Sequence, residues 1–204
     1  MRLSLFVGSV AFTALLTSPT WADGLGRVEN GVPSANSKGT SPSTTLIDPG
    51  FRTSLLATGT DKLENPSGCI TNYGMLSNAG NCSNGTSLPT LTEPDQNLYV
   101  VFSKNPGGPD GHFDYGRNFL YQGHENGSPM AYITRINLDV PRGDAHRITL
   151  LTPVDSTGNT GFGSIDGSTY NPFTSTLLFT QEAGGNGGVI QVAARGQYAR
   201  CIPW

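Results

Sequence analysis

The chain has 204 residues and a formal net charge of −3, and only 13% of its residues are charged, against about 25% in an average domain. A weakly acidic balance with no run of Lys or Arg argues against nucleic acid or an anionic membrane surface as a partner. The 27 glycines and 14 prolines argue against a helical bundle and for short strands joined by tight turns, which is an all-β fold.

Met1 and Arg2 precede an apolar stretch over residues 3–16, too short to span a bilayer and of the right length for the core of a secretion signal. Thr20 and Ala22 place small residues at the −3 and −1 positions. Residues 1–22 are therefore expected to be a cleaved signal peptide, and the protein to be secreted or periplasmic. No later segment is apolar enough for a membrane helix, so no membrane contact is expected after cleavage.

Residues 23–45 are rich in Gly, Ser, Thr and Asn and lack an apolar period, which predicts a flexible lead segment. The first strand-like run is 51–57. Cys69 and Cys82 enclose a Gly/Asn/Ser-rich stretch and, in an oxidising compartment, fit a disulfide that closes a surface loop. That pairing leaves Cys201 alone near the end. Residues 69–92 read as turn-rich surface decoration.

From residue 97 onward, β-branched and aromatic runs recur between turn signals at 98–102, 117–121, 131–136, 147–151, 176–180 and 189–192. No segment carries a sustained helical period. A weak internal repeat links two of these regions: Glu125, Gly127 and Ile133 match Glu182, Gly184 and Ile190 at one constant offset of 57 (182 − 125). Each unit is an apolar strand, a Glu, a turn and a second apolar strand. Such a period is within reach of a four-stranded propeller blade with loop insertions. The expectation is a partial β-propeller of antiparallel four-stranded blades over residues 46–192, incomplete at the C-terminus, followed by an atypical tail over 193–204. Chance similarity of two hairpins is the competing reading.

A Glu at the same point of successive blades would be carried towards a shared channel, and converging carboxylates suit a hard cation such as Ca²⁺. Glu125 and Glu182 are candidates on that ground, although either alone also reads as a solvated strand-end carboxylate. His124 is adjacent, but alternation along a strand would turn it and Glu125 to opposite faces. The stretch Asp110-Gly111-His112-Phe113-Asp114 reads as a turn. Asp155 to Asp166 has oxygen side chains at loosely EF-hand-like spacing, without the sixth-position Gly or the twelfth-position Glu. Serine-hydrolase, nucleotide-binding and structural-zinc motifs are missing.

Two stretches carry a family resemblance: Gly123-His124-Glu125-Asn126 after an apolar strand, and Asp166-Gly167-Ser168-Thr169-Tyr170-Asn171-Pro172-Phe173 leading to Thr176-Leu177-Leu178-Phe179-Thr180-Gln181-Glu182. Together they resemble the secreted bacterial PhoX-type alkaline phosphatases. The resemblance covers about residues 97–192 and implies a β-propeller with calcium and iron in its channel that hydrolyses phosphate monoesters without a covalent serine. It makes Glu182 the first metal-ligand candidate and Glu125 the second. The family's iron is held partly by a Cys before the Pro-Trp turn. This chain has Ile165-Asp166-Gly167 there, so Asp166 offers an oxygen instead and the iron is in doubt. Gln181 likewise stands where the signature has a Glu.

A complete propeller of that type runs well past residue 204, so the sequence reads as an N-terminal piece of a metal-dependent phosphatase, inactive as it stands or active only when complete. Open strand edges would favour self-association. The rival readings are a non-enzymatic extracellular propeller that binds a glycan or a protein, and a purely structural surface protein.

Overall fold

The computed structural model describes residues 32–33, 46–47, 52–77, 90–126, 130–156, 159–194 and 199–202. The expected signal peptide and Cys82 lie outside the described residues. The chain divides into two compact units, residues 1–54 and 55–204. In the first, β1 (Val32–Pro33) and β2 (Leu46–Ile47) form an antiparallel pair.

The second unit is built from three antiparallel sheets, each of four strands in simple sequential order. The first holds β3 (Lys62–Ser67), β4 (Ile70–Asn72), β5 (Met75–Leu76) and β6 (Thr90–Leu91). The second holds β7 (Glu93–Val101), β8 (Asn118–Glu125), β9 (Tyr132–Asn137) and β10 (Ile148–Leu150). The third holds β11 (Ile165–Asn171), β12 (Thr176–Gln181), β13 (Val189–Ala193) and β14 (Ala199–Ile202). The only helical feature among the described residues is a single 3-10 turn, Gly184–Asn186. The fold is thus all-β, as composition predicts, and the sheets do not close on one another.

Period-two alternation makes the middle sheet two-faced, because successive side chains leave a strand on opposite sides. Phe119, Tyr121, Ile133 and Val100 on one face share a core with Leu177, Phe179, Ile190 and Val192 of the third sheet. Tyr132, Ile136, Ile148 and Leu150 on the other share a core with Leu63, Ile70, Tyr73 and Leu76 of the first. The centre of the middle sheet is buried on both faces, with all six residues of β9 buried, whereas most of β7 is exposed. Gly123 permits the close approach of β8 to β11: a Cβ there would stand 2.7 Å from Cγ2 of Ile165.

Three expectations from the sequence need correction. Residues 52–57 form no strand. The region after Cys69 is not surface decoration, since it carries β4 and β5 and buries Cys69, Ile70, Tyr73 and Leu76. Its strands are too short to show alternation, so only packing reveals them. Residues 199–202 extend the third sheet as β14, pairing with β13 from Val189↔Ile202 to Val192↔Ala199. Cys69 is disulfide-bonded.

Candidate functional site

The two halves of the sequence repeat occupy equivalent places. Glu125 ends β8, the second strand of the middle sheet, and Glu182 directly follows β12, the second strand of the third. Opposite each, the first strand of its sheet is irregular in the same way. Between Pro94↔His124 and Asn97↔Gln122, β7 carries one more residue than its partner. Between Ile165↔Gln181 and Ser168↔Phe179, β11 does the same. These are β-bulges, devices that re-aim side chains and gather beside functional sites. Asp95 sits in the first and Asp166 in the second.

The bulges and strand ends bring Glu93, Asp166 and Glu182 within electrostatic range of Asp95 and Glu125. Glu93 is directly paired with Glu125 across the sheet. Asp95 lies within reach of the Asp166 carboxylate, which helps to raise it. Partial desolvation, then the charges of Asp166, Glu182 and Glu93, hold Asp95 above the usual carboxylate range. Glu125 is raised by desolvation and by the charges of Glu182, Asp95, Glu93 and Asp166. The two candidates from the repeat, Glu125 and Glu182, therefore do sense each other, and Asp166 stands with them.

Among the described residues none of the five forms an ion pair with Lys, Arg or His. Nor do any three His, Cys, Asp or Glu side chains there stand close enough to chelate one ion. The donors are all oxygens, the type a hard cation such as calcium prefers, and a bound ion would have to draw them closer together. It offers neither thiolate nor imidazole, so it does not fit an iron centre of the kind the resemblance implies.

His124 faces away from this cluster, as strand alternation requires. It is fully buried, stacks on Tyr132 at 4.3 Å between ring centroids and meets Tyr73 edge-on at 4.9 Å. Its Nε2 lies 2.8 Å from Oγ1 of Thr134, and its Nδ1 lies 3.3 Å from Oγ1 of Thr92. Burial pushes the imidazole down to about 3, so it is neutral and structural.

The other motifs resolve into turns. His112 N and Phe113 N close onto Asp110, and Asp155 exchanges hydrogen bonds with Asn159. Asp166 belongs to β11 and not to the Asp155 turn, which breaks the EF-hand-like spacing.

Sequence reasoning missed Asp95 and Glu93. Asp95 precedes Glu125 by 30 positions (125 − 95), whereas Asp166 precedes Glu182 by 16 (182 − 166). The long connection between β7 and β8 hides the equivalence from any ungapped comparison. A search for an acidic residue just before the first apolar run of each unit would have found Asp95.

Comparison with family models, with curated proteins and with solved structures finds no match to this chain.

Proposed function

We propose that the chain is part of a secreted, PhoX-like, metal-dependent phosphatase whose four-stranded sheets are propeller blades and whose calcium is held by Glu125, Asp166 and Glu182. One observation carries this reading: two bulged Asp residues and two strand-end Glu residues recur at equivalent points of adjacent sheets and come close enough to raise one another, with no ion-paired cation among the described residues to offset them.

Like charges in proximity destabilise a fold unless something compensates, and a divalent ion is the natural compensation. Asp95 and Glu93 complete the acidic set. When bound, such an ion polarises phosphoryl oxygens and lowers the pKa of a coordinated water. The chain's own contribution is positional. The bulges in β7 and β11 aim Asp95 and Asp166, and the close approach of β8 to β11 across Gly123 fixes the spacing between the two blades.

The second reading is a non-enzymatic extracellular propeller that uses the same cation site to bind a glycan or a protein. Gln181 in place of a Glu, and the missing Cys, favour it. Calcium binding with p-nitrophenyl phosphate hydrolysis supports the phosphatase, whereas calcium binding without turnover of that ester supports the binding module. No calcium binding, with no effect of Glu182→Gln on hydrolysis, removes both. Self-association through open strand edges belongs to this proposal too and predicts species larger than a monomer in solution.

A further inference from the structure

The opposite end of the middle sheet holds a second constellation, which owes nothing to the cation reading. Glu64 lies in an irregular part of β3, between Lys62↔Asn72 and Ser67↔Ile70. Its side chain is only 8% exposed. Three donors fix it: Nδ1 of His146 at 2.6 Å, the Thr149 hydroxyl at 3.0 Å and the Tyr115 hydroxyl. His146 is in turn clamped. Phe113 stacks on its ring at 3.9 Å between centroids, Tyr115 meets it edge-on at 5.7 Å, and its backbone N–H donates to Asp144.

With Nδ1–H committed to Glu64, the neutral ring carries its lone pair on Nε2, which makes no hydrogen bond among the described residues. The ring is 25% exposed and lines a cleft of about 610 Å³ together with Thr60, Lys62, Asp144 and Ile148. Asp61 in the same wall is paired with Arg142. With Leu63 and Ala145 beside Ile148, and Lys62 and Arg147 set against Glu64 and Asp144, the cleft presents apolar surface, nearly balanced charge and one oriented base.

We propose that Glu64 and His146 form a general-base dyad that activates water against small, uncharged carboxylic esters bound in this cleft. Nε2 takes a proton from water as the oxygen bonds to the acyl carbon. The ester C–O bond then breaks, and the leaving alkoxide takes the proton back from the imidazolium. The products are an acid and an alcohol, and no other reactant is needed. His146 is the catalytic residue, and Glu64 is a positioning residue that sets its tautomer. The charged and titratable groups facing the ring are Glu64 from β3, Asp144 from its own loop, and Asp110 and Tyr115 from the connection between β7 and β8.

The test is hydrolysis of p-nitrophenyl acetate by the full chain, followed against pH in H₂O and D₂O with free imidazole as reference. The wild type should exceed equimolar imidazole by about a hundredfold, show a normal solvent isotope effect and rise to a plateau through a midpoint above the ordinary histidine value of 6.5. His146→Gln should remove the excess. Glu64→Gln should lower both the plateau and the midpoint, a shift that mere loosening of the loop would not give. His112→Gln and chelation with EDTA should change nothing, which separates this site from the carboxylate cluster. For the wild type alone, titration with acetamide, an unreactive relative of the ester, should shift the ring resonances of His146 and spare those of His124. Hydrolysis no faster than with imidazole, full activity in folded His146→Gln, or no resonance shift would overturn the proposal.

Discussion

The two ends of the sheet β7–β10 hold carboxylates under opposite conditions. At one end Glu64 is buried, accepts three hydrogen bonds and faces an imidazole whose pKa it raises by hydrogen bonding. At the other, Glu125 and Asp95 are surrounded by carboxylates and are raised by desolvation and like charge. The contrast teaches that a Glu is not a functional sign by itself. A carboxylate whose oxygens are all used positions its neighbours, whereas a group of carboxylates that lack counter-ions asks for one from outside.

The comparison breaks most visibly at the paired end. Glu64→Ala removes one partner of a buried set and strands the Thr149 and Tyr115 hydroxyls, so it should cost about 3 kcal/mol in urea unfolding. A change below about 1 kcal/mol would show that the network is looser than its geometry. The contribution of the His146–Glu64 pair is fully present below the ordinary imidazole value of 6.5 and fades as pH rises through the higher folded value.

His124 sharpens the contrast within the acidic end, where it sits next to Glu125 on the opposite face. Its folded value of about 3 lies below the ordinary 6.5, so the unfolded chain takes up a proton first as pH falls. Stability should be intact above pH 6.5 and decline by about 1.4 kcal/mol for each unit below it. His124→Gln should flatten that decline, measured by urea midpoints between pH 7 and pH 4.5.

Calcium should act on one end only. At a hundred times its dissociation constant it should add about 2.7 kcal/mol at pH 7, seen as a higher melting temperature, and progressively less as pH falls, because the raised carboxylates take up protons before ordinary ones do. Glu64→Ala should leave that increment unchanged. The smallest effect is expected from Glu125→Gln without calcium, which should raise the melting temperature slightly by relieving repulsion. The sign follows from linkage: carboxylates held above their ordinary values of 3.8 and 4.5 favour the folded state below those values and lose that contribution as pH rises. A fall in melting temperature for Glu125→Gln would mean that its neighbours do not crowd it.

Much of this contrast was legible in the sequence. The runs 98–102, 117–121, 131–136, 147–151, 176–180 and 189–192 all hold strands, because β-branched and aromatic residues between turn signals mark them even where, as in β10, the strand is short. The repeat of Glu125 and Glu182 was legible for the same reason, as it rides on two such strands. The first sheet was not, because β4, β5 and β6 have two or three residues each within a turn-rich stretch and are recognised only by the burial of Ile70, Tyr73 and Leu76. The bulges that place Asp95 and Asp166 were hidden as well, since a bulge is a property of a pair of strands and not of one. Glu64 and His146 lie 82 positions apart (146 − 64), and no local pattern marks either.

Calorimetric titration of Ca²⁺ at pH 7, on the wild type and on the Glu125→Gln/Glu182→Gln double variant, addresses the central claim most directly. The account predicts saturable binding to the wild type, lost in a double variant that keeps the β-type circular dichroism of its parent. Wild-type protein that takes up no calcium, or a double variant that binds it as tightly, would contradict the assignment of these carboxylates to a cation.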